Sequence, residues 1–143
     1  MLYIATDRPL GPVVSDRLTI EEVEQPLLDE LRSIFSKPSV RFVGVEGGCS
    51  CDFRHVLADA PFDYFDGMFD HEDPERRDRS DAVARELLAI IQAPLQNGGS
   101  VELYPTWAGE RLSMPKGSHT MSASEVRPER FFFAEDHLYT VLP

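Results

Sequence analysis

Over residues 81–93, Val83, Leu87, Ile90 and Ile91 recur at three- and four-residue steps, so they share one helix face that must be buried. Ser80 stands where a cap satisfies the first free N–H groups, Asp81 suits the positive end of the helix dipole, and Pro94 is expected to stop the run. A second stripe, Ile20, Val23, Leu27, Leu31 and Ile34, is widened by Leu28 and Phe35. Thr19 and Glu22 have the spacing of a capping box for a helix opening at Ile20, but Pro26 removes a backbone donor there. The expectation is a short first turn and then a main helix over residues 26–36, ending before Pro38.

Two such stripes need an apolar surface, and strand-like segments supply it. Val40-Arg41-Phe42-Val43-Gly44-Val45 is rich in β-branched and aromatic residues and lies between Pro38 and Gly47-Gly48. Leu2-Tyr3-Ile4-Ala5 reads as an opening strand, and Val101-Glu102-Leu103-Tyr104 as a strand with alternating faces after the Asn97-Gly98-Gly99 turn. Phe131-Phe132-Phe133-Ala134 and the run from His137 to Leu142 are expected to pair antiparallel, turning at Glu135-Asp136. Ser124 is placed to cap one helical turn through Pro128. The reading is an α+β single domain over residues 1–143, with a mixed, mainly antiparallel sheet and both principal helices packed on one face. A chain of 143 residues suffices for this, since folding at that size removes roughly 70% of the unfolded surface from water.

The formal charge is −11, from 25 acidic against 14 basic residues. No basic stripe answers nucleic-acid phosphates, so nucleic acid is excluded as the expected partner and a basic protein is favoured. The same charge also serves solubility. No run approaches the roughly 20 apolar residues of a membrane span, and no basic leader opens the sequence. The expected location is cytoplasmic. Oligomeric state is not legible.

The only two cysteines, Cys49 and Cys51, sit in Gly47-Gly48-Cys49-Ser50-Cys51-Asp52-Phe53-Arg54-His55. On an extended segment their side chains point the same way, and His55 adds a third ligand for Zn²⁺ or Cu(I). A closed zinc site needs a fourth, from His71, His119, His137 or a carboxylate, and C-x-C departs from the usual C-x₂₋₄-C spacing. As reactive thiols they gain from Arg54 and His55 and lose to Glu46 and Asp52. They also suit a pair of reduced, partly buried residues at a Gly-Gly turn. A disulfide between them would be strained.

No P-loop, G-x-G-x-x-G, G-x-S-x-G or H-E-x-x-H occurs, and Asp63 and Asp66 miss the EF-hand spacing. No catalytic residue is assigned, and the chain reads as a binding protein more than an enzyme. Phe62, Tyr64, Phe65, Met68 and Phe69 alternate with acids. Asp63, Phe65, Asp66, Phe69 and Asp70 are therefore the candidate protein-binding residues, joining rigid apolar anchors to carboxylates that pair with Arg or Lys. The alternative turns these aromatics inward as a lid on the core. Trp107 is expected in the core at a strand end. The leading functional reading is a small acidic protein-binding module of the immunity or inhibitor kind, needing no cofactor. The alternative is a metal-binding (zinc or copper) or thiol-dependent protein centred on Cys49, Cys51 and His55.

Overall fold

The computed structural model describes residues 1–11, 13, 15–45, 50, 52–56, 71–107 and 112–143. Strands β1 (Leu2–Thr6), β2 (Leu18–Glu22), β3 (Ser39–Val45), β5 (Val101–Pro105), β6 (Gly117–Ser122) and β8 (His137–Leu142) form a six-stranded sheet in the order β2-β3-β1-β5-β8-β6. Neighbours are antiparallel except β6, which runs parallel to β8. A two-stranded parallel ladder joins β4 (His55–Val56) to β7 (Phe133–Ala134). With α1 (Leu27–Arg32) and α2 (Pro74–Gln96), this is the expected α+β class with a mixed, mainly antiparallel sheet. Among the described residues, no helix is long and apolar enough to cross a membrane.

The two helices do not share a face. Leu2 and Ile4 of β1 pack with Val83, Leu87 and Ile91 of α2, whereas Tyr3 and Ala5 pack with Leu31 of α1 and with Phe35. Strands β1 and β5 are buried along their whole length, so the sheet's centre is apolar on both sides and each side needs a cover. The tally of stripes could not reveal this, because period-2 alternation sends neighbouring apolar residues to opposite faces.

Helix α2 starts earlier than its apolar stripe. Asp73 caps it, accepting from the N–H groups of Glu75 at 3.0 Å and Arg76 at 3.2 Å, and Pro74 occupies the first turn, where its missing N–H costs nothing. Ser80 and Asp81 are buried interior residues and not a cap. Pro94 lies inside the last turn, and the chain leaves through Gly98, whose φ is 75°. Gly99 follows because a Cβ there would meet the Pro94 carbonyl oxygen at 3.0 Å and Asp7 Oδ2 at 3.2 Å.

Four other expectations change. Ile20 lies in strand β2, where Leu18 is buried two residues away, and no capping box forms, since Thr19 Oγ1 bonds Glu21 Oε1 at 3.0 Å. Phe133–Ala134 does not pair with β8; it pairs with β4, leaving β8 between β5 and β6. The turn at Glu135-Asp136 does form, with Asp136 at φ 59°, a left-handed conformation that Asp tolerates. Trp107 is 73% exposed, just past the end of β5. The short 3-10 turn Pro128–Arg130 follows an extended Arg127 and has no side-chain cap, so Ser124 does not serve there.

Candidate binding groove and the buried arginine beside strand 4

An open groove of about 1000 Å³ lies between the chain that follows β1 and the C-terminal half of α2. Glu86, Ala89, Ile90, Ala93, Pro94 and Asn97 supply the helical wall. They recur at three- and one-residue steps, a stripe beside the one buried through Val83, Leu87, Ile91 and Leu95. Leu10 and Ile90, both packed against the core, give the groove its apolar part.

The opposite wall is pinned by polar contacts. Ser15 donates its hydroxyl to Glu86 and accepts from the N–H groups of Leu18 at 2.7 Å and Arg17 at 3.2 Å. Arg17 Nε lies 3.6 Å from Glu86 Oε1. Asp7 accepts from Lys37 Nζ at 2.7 Å and from the Ser100 N–H at 3.5 Å. The Lys37 hydrogen bond is the main reason the Asp7 carboxyl is held below its ordinary range. The lining thus carries Asp7, Asp16 and Glu86 against Arg8. Apolar contact with charged edges suits a binding surface, and the Ser15 hydroxyl that meets Glu86 also accepts from the Leu18 and Arg17 N–H groups, which makes it a tie between the chain after β1 and α2.

Asp63, Phe65, Asp66, Phe69 and Asp70 fall outside the described residues, as do Cys49 and Cys51. His55 opens β4, its backbone opposite Phe133. Between the cysteines, Ser50 is buried, accepting from the Leu2 N–H at 3.0 Å and donating to the Val43 carbonyl at 2.7 Å. Arg54, weighed as a thiol activator, is committed elsewhere. Its Nε and Nη2 reach Glu72 Oε2 at 2.9 and 2.8 Å, and Nη2 also lies 2.8 Å from Asp81 Oδ1. Its Nη1 donates to the Pro128 carbonyl at 3.4 Å, so one buried guanidinium joins α2, the segment before β4 and the 3-10 turn. His119 Nε2 and His137 Nδ1, weighed as zinc ligands, lie 2.8 Å apart with rings stacked at 10°, and His119 also stacks on Tyr139. Among the described residues, no group of three or more His, Cys, Asp or Glu side chains is placed to hold a metal ion.

A further polar cluster closes the end of the sheet near Trp107. Thr106 donates to Asp136 Oδ1 at 2.9 Å, Lys116 Nζ pairs with Asp136 Oδ2 at 2.9 Å, and the Tyr104 hydroxyl donates to the Ser113 carbonyl at 2.5 Å. Burial, then the Asp136 charge, pushes the Tyr104 phenol up from 10.0 to about 12. A raised phenol pKa means that the folded state holds this proton more tightly than the unfolded chain. The resulting stabilisation is complete below pH 10.0 and is lost as pH rises toward about 12. Urea unfolding across that range should show the wild type losing stability faster than Tyr104→Phe. Parallel losses would place the alkaline sensitivity in another group.

The groove was missed because its signals are small residues and a loop, neither of which has apolar periodicity. The one sequence trace was the second stripe on α2, in which Ala89 and Ala93 keep the helix surface low beside Ile90. Comparison with protein-family models, with curated proteins and with solved structures finds no match to this chain.

Proposed function

We propose that this protein is a small acidic protein-binding module that neutralises a basic partner, in the manner of an immunity or inhibitor protein. The observation that carries the reading is an open, partly apolar groove edged by carboxylates in a chain of net charge −11. Complementary charge speeds encounter with a basic protein, and apolar contact then slows release. The aromatic–acidic run that includes Asp63, Phe65, Asp66, Phe69 and Asp70 supplies further groups of the same two kinds.

Immobilised protein exposed to an extract of its source cells should retain a basic protein at about 0.1 M salt. It should release that protein toward about 1 M salt, where the screening length falls from about 10 Å to about 3 Å. Changing Asp63, Asp66 and Asp70 together to Asn should slow association with the retained protein, while Phe65→Ala or Phe69→Ala should speed dissociation. Retention only of acidic proteins, or retention indifferent to salt, would refute the reading.

A further inference from the structure

Resting on that reading, we propose that the groove between the segment after β1 and the C-terminal half of α2 is where the basic partner docks. The segment it receives pairs apolar side chains with arginine or lysine. The apolar part of such a segment meets Leu10 and Ile90, while Ala89 and Ala93 present so little side chain that a partner backbone can lie close to α2. At about 1000 Å³ the groove is at the upper end of small-ligand pockets, roomy enough for a short peptide segment.

Charge decides among occupants. The lining carboxylates Asp7 and Glu86 are already met by Lys37 and Arg17, so the groove alone attracts cations only modestly. Its acidity grows along the chain from Asp16. From there to Glu30 the sequence holds Asp16, Glu21, Glu22, Glu24, Asp29 and Glu30 against a single cation, Arg17. Most of these acids are exposed, and β2, which carries Glu21 and Glu22, is an edge strand of the sheet. Glu22 already meets Arg41 at 3.3 Å and Asp29 meets Arg32 at 3.5 Å, so a segment anchored by its apolar residues in the groove finds partners for its flanking cations chiefly in the exposed carboxylates of Glu21 and Glu24. The same field disfavours a second copy of the chain, which also carries −11, and any phosphate-bearing ligand.

The test is selection of a randomised twelve-residue peptide display library against the folded protein. Enriched peptides should combine apolar residues with Arg or Lys, and binding should move the backbone amide resonances of Ala89, Ile90, Ala93 and Gly98 most. Ala93→Arg projects a long cation from an exposed helical position into the groove and should weaken these peptides at least tenfold, while leaving the thermal unfolding midpoint in place. Glu21→Gln with Glu24→Gln, both outside the groove, should weaken them severalfold and flatten the salt dependence. Basic peptides whose shifts fall elsewhere, and which ignore Ala93→Arg, would overturn the groove as the docking site and leave the basic-partner reading standing. Enrichment of neutral or acidic peptides, or of none, would overturn both.

Discussion

Replacing Arg54 with methionine should destabilise the fold by about 3–5 kcal/mol, the cost of removing one partner from a buried ion pair. The Arg54 side chain is 2% exposed, and its partners Glu72 and Asp81 are 9% and 10% exposed. Methionine fills much of the same volume, so the loss is electrostatic more than steric. It leaves two carboxylates in a poorly solvated site with no guanidinium between them, a desolvation cost that the more exposed Arg76, 3.6 Å from Glu72, and Arg85, 3.9 Å from Asp81, offset only in part. Arg54→Lys should recover little, because a single ammonium cannot fork between Glu72 and Asp81 and also reach the Pro128 carbonyl. Combining Arg54→Met with Glu72→Gln and Asp81→Asn should restore a substantial part of the stability, since the repelling charges are then gone. Chemical denaturation of the three variants checks this. A single-variant cost below about 1 kcal/mol would mean that the triad behaves as a surface salt bridge.

That triad also shows why parts of the fold were legible and others were not. The helical stripe over residues 81–93 revealed α2 because Val83, Leu87 and Ile91 are buried by nonspecific apolar contact, which periodicity measures directly. The seven residues before it, from Pro74 to Ser80, are charged and polar, so the helix there is set by the Asp73 cap and by Arg54 reaching Asp81. Neither leaves a period. Strand β6, Gly-Ser-His-Thr-Met-Ser, is equally silent: it is held through its register with β8, a pairing between segments 20 residues apart in the chain. Strand β2 was misread because Ile20 satisfies both a helical and an alternating pattern. The choice is made by β3, which has apolar residues on both faces and needs a partner on that side.

The candidate site was less legible still. The sequence draws attention to rare residues, namely two cysteines, four histidines and an aromatic–acidic run. A groove is made of common ones. Alanines at 89 and 93 matter because of what they leave empty, and Ser15 matters because its hydroxyl bridges the chain after β1 to Glu86, 71 positions away. Such pairings become visible only once the topology brings them together. Trp107 shows the converse: a large apolar residue at a strand end is usually buried, yet here β5 ends at the margin of the sheet and the indole lies in solvent.

Phe133→Ala should cost a further large amount, about 3–5 kcal/mol, the usual range for truncating a buried phenylalanine. Phe133 is fully buried, and its ring lies 4.8 Å from Phe131, 5.6 Å from Tyr139 and 5.9 Å from Phe53, each edge-on. One substitution therefore opens a cavity and removes three aromatic pairs at once. Phe133→Leu should cost less, because it keeps apolar volume while losing the edge-to-face geometry. The Phe133 N–H also donates to the Arg54 carbonyl at 2.8 Å, so this ring and the arginine triad support the same short ladder of β4 and β7. The two substitutions should then be non-additive in a double-mutant cycle, by about 0.5–3 kcal/mol. Hydrogen exchange separates local from global loss. If the ladder is a weaker cooperative unit than the main sheet, amides of residues 53–56 should lose protection in Phe133→Ala before those of β1, which is buried on both faces. Equal loss at both places would show that the small ladder and the six-stranded sheet open together, and that the backbone at His55 is as well protected as the core.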